Sequence, residues 1–182
     1  MFLNGKDCQP DGTRIECERK FLVMEEIALA RCQGHEPVQI EQIYLDGTGD
    51  WAIRSRRTEK DGAVSYTTTM KRAIAKGSSI EIEEQGTAET HKQFLLSAGM
   101  VLEKTRYKLP LGGSHVIEID FFKNLLDGMA LVEIELGSLD DEVHLPAWLA
   151  YEVTGDGSYS NKALFDVLKG RRPHPEPVIG VI

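Results

Sequence analysis

Cysteine is scarce in this chain and follows no pattern. Cys8, Cys17 and Cys32 are odd in number and form no C-x-x-C. Neither a disulfide framework nor a structural zinc site is expected, and a reducing cytoplasm suits such a sequence best. No apolar run approaches the ~20 residues that cross a bilayer, and no signal-peptide pattern is visible, so no membrane association is expected. Positive charge is in deficit: 21 Lys and Arg stand against 29 Asp and Glu, a net charge of −8. That balance argues against nucleic acid as the main partner. It also disfavours a small anionic ligand, unless the basic residues are gathered in one place.

What is present is the composition of a globular domain, 41% hydrophobic and 27% charged over 182 residues. This length buries a core without staples and makes one domain the default. Residues 1–13, with turn signals at Asn4-Gly5 and Pro10-Asp11-Gly12, read as a flexible extension. Residues 14–170 form the expected domain. Residues 171–182 form a proline-rich tail, in which Pro173, Pro175 and Pro177 exclude a regular helix or a central strand.

Strand-like runs over 14–23, 38–45, 51–57, 64–72, 79–85, 102–109, 115–122 and 130–136 are separated by turn signals and predict a series of hairpins. Helical spacing over 24–32 predicts an apolar stripe of Met24, Ile27, Ala28 and Arg31. The clearest helix is 87–98, with Thr87 as N-cap, Gly99 beyond its end and a buried stripe of Ala88, His91, Leu95 and Ala98. His91 there reads as an edge-of-core histidine. A further helix is expected to begin near Ser138 or Leu139, and another spans 160–168 with Ser160 as N-cap.

The informative feature is the charge carried by the strands. Side chains of a strand alternate between faces. Glu16, Glu18 and Lys20 therefore share a face, with Ile15, Cys17, Arg19 and Phe21 opposite. The pairing recurs at Arg54 and Arg56, Glu81 and Glu83, Lys104 and Arg106, Glu118 and Asp120, and Glu133 and Glu135, while Lys71 stands alone. Acidic and basic strands alternate loosely along the chain. One such strand is the wet face of an ordinary antiparallel sheet. A series of them fits two arrangements: an open sheet with a salt-bridged wet face, or a barrel closed with its ionic face inside and helices outside. Charges inside a barrel must be paired or bound to ions. Carboxylates suit Mg²⁺ or Mn²⁺, and lysine and arginine suit phosphoryl oxygens. Gathering the basic residues in one place would also answer the charge deficit.

The run Ile15-Glu16-Cys17-Glu18-Arg19-Lys20-Phe21-Leu22-Val23 resembles the E-x-E-x-K signature of the CYTH superfamily, the triphosphate tunnel metalloenzymes. R-x-R at Arg54 and Arg56, T-x-K at Lys71, E-x-E at Glu81 and Glu83, K-x-R at Lys104 and Arg106, E-x-D at Glu118 and Asp120, and E-x-E at Glu133 and Glu135 follow in order. Tyr159-Ser160-Asn161-Lys162-Ala163-Leu164 looks like the family's C-terminal helix start. The resemblance implies an α+β fold, an eight-stranded antiparallel closed β-barrel forming a tunnel with a charged interior and helices packed outside. Within the family, E-R-K-F-L-V and E-K-T-R-Y look most like the small bacterial inorganic triphosphatases.

The implied activity is hydrolysis of a triphosphate, tripolyphosphate first, with Mg²⁺ or Mn²⁺. Lys20, Arg54, Arg56, Lys71, Lys104, Arg106 and, from the C-terminal helix, Lys162 would hold phosphates. Glu16, Glu18, Glu81, Glu83, Asp120, Glu133 and Glu135 would hold metal, with Glu18, Lys20 and Glu83 nearest the chemistry. A class IV adenylate cyclase acting on ATP, a thiamine triphosphatase and a non-catalytic polyphosphate-binding protein are the alternatives. An adenine site has no sequence signal, Tyr44 and Trp51 are the aromatics available to an organic group, and the full acidic set argues against a metal-free sensor. Monomer and homodimer are both open.

Overall fold

The computed structural model describes residues 13–175 apart from Ser114, Asp127, Leu139 and Ala150. The expected extension before Thr13 and the tail beyond Pro175 lie outside the described residues. Eight main strands are present: β1 (Thr13–Met24), β2 (Val38–Tyr44), β3 (Ala52–Lys60), β4 (Ala63–Ala75), β5 (Ser78–Gln85), β6 (Leu102–Gly112), β7 (His115–Phe122) and β8 (Met129–Leu136). A two-residue β9 (Tyr151–Glu152) follows, and three helices complete the fold, α1 (Glu25–Arg31), α2 (Ala88–Ala98) and α3 (Asn161–Leu168). The neighbours run β5-β4-β3-β2-β6-β7-β8-β1, and β1 returns to β5, so the sheet closes into the expected eight-stranded antiparallel barrel.

β1 makes that closure. It is long and free of glycine and proline, and different stretches of it serve different partners. Thr13 to Cys17 pairs with β5, and Cys17 to Met24 pairs with β8. Past Cys17 the β5 side opens. There the Lys20 carbonyl accepts from Val153 N (2.8 Å), and Lys20 N donates to Thr154 Oγ1 (3.0 Å), before β9 pairs at Phe21 and Leu22. Between β3 and β4 a two-residue turn, Asp61-Gly62, has both φ values positive (51° and 77°), the geometry that matches strand twist.

The outward face of β1, β7 and β8 is a buried cluster that includes Cys17, Phe21, Ile119, Val132 and Ile134, capped by Ala28 and Cys32 and by Val143, Leu145 and Trp148. The inward face changes character along its length. Glu16, Glu18 and Lys20 are followed on the same face by Leu22, Glu135 and Glu133 by Leu131, Arg106 and Lys104 by Leu102, and Glu118 and Asp120 by Phe122. Leu22, Leu131, Leu102 and Phe122 join Tyr44, Tyr159, Leu164 and Phe165 in a second buried cluster. One end of the barrel is thus filled by apolar side chains, and α3 is docked there. Ser160 caps α3, its Oγ accepting from Ala163 N (3.1 Å).

Three expectations are corrected. No helix begins near Ser138: described residues 140–149 are turn and extended chain. The Asp141 carboxylate accepts from Gly137 N and Ser138 Oγ, local bonds that compete with helical ones. In α1, Met24 and Ile27 are exposed, and Ala28 carries the packing. In α2, Ala88 and Leu95 face solvent, and His91, Phe94 and Ala98 face the barrel. His91 Nδ1 lies 2.9 Å from Ser55 Oγ, and its Nε2 lies 3.7 Å from Glu41. Among the described residues no helix is long and apolar enough to cross a membrane.

Replacing Leu131, which is fully buried, by alanine is expected to cost about 2–5 kcal/mol in urea unfolding with an unchanged denaturant slope. Burial holds the His91 pKa below its ordinary value, against the pull of Glu41. As pH falls below about 6.5 the unfolded chain takes up a proton that folded His91 refuses. Stability is therefore expected to drop until the pH passes the lowered His91 pKa, and His91→Gln to flatten the change in urea midpoint between about pH 7.5 and 5.5.

Candidate active site

The inward charges are not interleaved in space as they are along the chain. Lys71 on β4, Arg54 and Arg56 on β3, and Lys104 and Arg106 on β6 form one wall, with Gln42 and Tyr44 of β2 between them. Glu118 and Asp120 on β7, Glu133 and Glu135 on β8, Glu16 and Glu18 on β1, and Glu81 and Glu83 on β5 form the other. Closing β1 on β5 brings the glutamates of β5 into the acidic wall.

This segregation puts like charges directly opposite one another. Glu18 faces Glu135 across the β1–β8 ladder, and Glu118 faces Glu133 across β7–β8. Such pairs are destabilising unless a cation stands between them. Lys20 Nζ lies 2.7 Å from Glu133 and 3.2 Å from Glu18. Burial would lower the Lys20 pKa, but these two carboxylates outweigh it and keep the ammonium charged. Arg106 spans the acidic wall. Its Nε donates to Asp120 Oδ1 (2.6 Å), its Nη2 to Asp120 Oδ2 (2.6 Å) and Glu133 Oε2 (2.7 Å), and its Nη1 to Glu118. Lys71 reaches Glu16 and, at 3.4 Å, Glu18. Glu83 accepts from Thr69 Oγ1 (2.8 Å) and lies 3.9 Å from Arg54. Fully buried Gln42 turns its amide oxygen to Arg54 and Arg56 at 2.9 to 3.1 Å, so two adjacent guanidiniums share one neutral acceptor.

A cavity of about 240 Å³ is lined by Glu16, Glu18, Glu81, Glu83, Glu118, Glu133 and Glu135 from one wall and by Arg54, Arg56, Lys71, Arg106 and Lys108 from the other. A wider vestibule of about 490 Å³ adjoins it, walled by Tyr44, Ala52, Ala73, Ser78, Ser79 and Gly155, with Lys20 and Lys162 on its surface. Lys104 and Asp120 line neither and stand behind the wall. Their side chains are completely buried and bonded to each other at 2.6 Å. Burial and the neighbouring Arg106 push the Lys104 ammonium down to about 8. Both Asp120 oxygens are occupied by Lys104 and Arg106. The carboxyl's pKa stays below its usual value because these two cations outweigh burial. Lys162 is held by Asp166 of its own helix at 2.6 Å. Trp51 is no part of these walls and packs under Arg72.

The charge pattern does not single out Lys108 and Asn161, which line the cavity, or Gln42, which is buried behind Arg54 and Arg56. Gln42 occupies a period-2 position with Tyr44, but a neutral residue among paired charges gave no signal. Asn161 lay in the recognised helix start, where the adjacent Lys162 drew the assignment. Among the described residues no three His, Cys, Asp or Glu side chains stand together as a preformed metal cluster; Glu133 is paired with Lys20 and Arg106, and Glu16 with Lys71.

A closed antiparallel barrel with an ionic lining divided into a cationic and an anionic wall defines the class: an ionic tunnel stoppered at one end. No protein-family model matches the chain. Two curated relatives do. The inorganic triphosphatase of Nitrosomonas europaea is 34% identical over 158 residues, covering 82% of this chain and 95% of that one. The inorganic triphosphatase of Acetivibrio thermocellus is 30% identical over 152 residues, covering 82% and 92%. A crystal structure described as that of an inorganic triphosphatase superposes with a TM-score of 0.55 at 30% identity, over 82% of this chain and 93% of that one. The chain belongs to the CYTH superfamily, the triphosphate tunnel metalloenzymes.

Removing Asp120 leaves two buried cations without their shared anion. Asp120→Ala is expected to cost about 3–5 kcal/mol of stability in metal-free buffer, measured by denaturant unfolding, whereas Glu135→Gln is expected to change it by less than about 1 kcal/mol.

Proposed function

We propose that this chain is a divalent-metal-dependent triphosphatase acting on inorganic tripolyphosphate. The observation that carries the reading is the two-walled cavity: five cationic side chains face seven carboxylates across about 240 Å³. A triphosphate and its counter-cation need those two surfaces in one place. Membership of the family, and the name borne by both curated relatives, support the same activity.

The cationic wall binds. Arg54, Arg56 and Arg106 present planar forks that match phosphoryl oxygens, and Lys71 adds a point charge. Gln42 and Asp120 orient these groups from behind, so little reorganisation is needed when charge develops on the transferred phosphoryl group. Lys104 and Asp120 act here as anchors of Arg106, with no direct contact to ligand. Lys20, paired with Glu18 and Glu133, faces the vestibule at the seam of the two walls and meets the end of the phosphate chain.

The acidic wall offers hard oxygen donors from adjacent strands, Glu16 and Glu18 beside Glu133 and Glu135, a donor set that fits Mg²⁺ or Mn²⁺. The opposed Glu18 and Glu135 carboxylates are also relieved by a cation between them. When bound, the ion would supply positive charge to offset that of the triphosphate and would make water more acidic. Glu83, an exposed carboxylate of the cavity with one oxygen held by Thr69, is assigned here to accept the proton of the attacking water. The apolar stopper closes the α3 end of the barrel, beside the vestibule, and leaves the opposite end of the ionic cavity, where Glu83 and Glu135 are exposed, as a way in for substrate. Buried, unpaired Cys17 and Cys32 fit a reducing compartment, the cytoplasm.

The test measures phosphate release from tripolyphosphate, ATP and thiamine triphosphate in parallel, with Mg²⁺ or Mn²⁺, and cyclic AMP in the ATP reaction. Tripolyphosphate is expected to be the best substrate, with chelator abolishing turnover. Glu18→Gln is expected to lower kcat by about 10²-fold or more, and Arg54→Ala to lower kcat/KM by about 10- to 100-fold. Cyclic AMP as main product would overturn the hydrolase reading, and tight binding without turnover would make the chain a polyphosphate-binding protein.

A further inference from the structure

The helix that stops the barrel carries one neutral polar side chain to the junction of the two chambers. Ionic cavity and vestibule share four lining residues, Glu18, Arg54, Lys71 and Asn161. A phosphate chain lying across both chambers must pass this ring. Three of its members carry charge and were legible as such. The fourth is Asn161, the first residue of α3.

Its position is firmly set. The preceding residue, Ser160, performs the capping, so Asn161 is not needed for that. Three and four residues on, Leu164 and Phe165 are completely buried in the apolar end of the barrel, which fixes the start of the helix against the strands. The side chain is oriented as well. Asn161 Oδ1 accepts from Lys104 Nζ at 2.9 Å, and Lys104 is itself held by Asp120 at 2.6 Å with no exposed surface. A carboxamide whose oxygen is committed to a buried ammonium turns its other end, a two-hydrogen donor, the opposite way. Asn161 lines both cavities.

We propose that Asn161 is a substrate-binding residue, its Nδ2 donating to a phosphoryl oxygen of the triphosphate where the chain crosses from vestibule to ionic cavity. The assignment rests on the triphosphatase reading of the same site. A neutral donor suits this place. It adds a directed hydrogen bond beside Arg54 and Lys71 without a further positive charge near Lys104, whose pKa is already lowered by burial and by Arg106. The buried Lys104–Asp120 pair then has a second task, to aim the amide.

A purely structural role, in which Asn161 only ties α3 to Lys104, makes the opposite prediction for one substitution. Asn161→Asp keeps an oxygen acceptor for Lys104, and strengthens it, but replaces the donor by an anion. Asn161→Ala removes both. The experiment determines KM and kcat for tripolyphosphate with Mg²⁺, tripolyphosphate binding by calorimetry in chelator, and the thermal midpoint of each variant. Asn161→Ala is expected to raise KM about 10- to 100-fold, the loss of one hydrogen bond to a charged acceptor. Asn161→Asp is expected to raise it further and to weaken binding in chelator, while its thermal midpoint matches or exceeds that of Asn161→Ala. Wild-type KM and binding in Asn161→Asp, or in Asn161→Ala, would overturn the assignment. Absence of tripolyphosphate binding by the unmodified chain would instead overturn the functional reading on which it rests.

Discussion

A charged side chain carried into a closed barrel must be neutralised where it stands, and this structure follows from how that is done. Arg106 is the central instance. It is 6% exposed, and its guanidinium contacts Asp120, Glu118 and Glu133 from two adjacent strands. Coulomb attraction and burial oppose each other here, and the pairs are no proof of stability: apolar residues of like volume often serve a core at least as well. The lining is therefore explained by what it can bind. Opposed carboxylates on one side and clustered guanidiniums on the other are each an unfavourable assembly alone. Facing one another they are tolerable, and with a polyanion and a cation between them both conflicts are relieved.

The same faces that carry charge carry leucine and phenylalanine a few residues on, and this decides the shape of the site. A water-filled tunnel open at both ends would leave α3 without apolar surface to dock on. Here Leu22, Leu102, Leu131 and Phe122 provide it, and α3 becomes part of the wall. The parting of β1 from β5 beyond Cys17 opens the vestibule at the place where Lys20 stands. Depth, entrance and the seam between the walls thus trace to one long strand with different partners along its length.

Much of this was legible along the chain. β1, β5, β7 and β8 were, because alternation of charge with apolar residues is a period-2 signal that no helix reproduces, and β2, β3 and β4 were marked by the turn signals that bound them. Paired charges at i and i+2 placed Glu16 and Glu18, Arg54 and Arg56, and Glu133 and Glu135 on shared faces correctly, since a strand's geometry leaves no other choice. The helix expected near Ser138 was not formed, because the side chain of Asp141 satisfies local backbone and hydroxyl donors. In the stripe of α2, His91 and Ala98 are buried as expected, but Phe94 packs where Leu95 was expected and Ala88 is exposed. Asp120 and Glu118 look equivalent in sequence, yet one is sealed behind the wall and the other lines it.

By itself, then, the sequence determined the strands, the face of each charge, and the division of charge into acidic and basic strands. It did so because side-chain direction in a strand is a local property. Tertiary structure alone decided that acidic and basic strands gather into two walls, that Gln42 and Asn161 enter the site, and that Lys104 and Asp120 withdraw from it. Those outcomes depend on which strands become neighbours when β1 meets β5, and on where α3 docks. Neither contact lies within the reach of a local pattern.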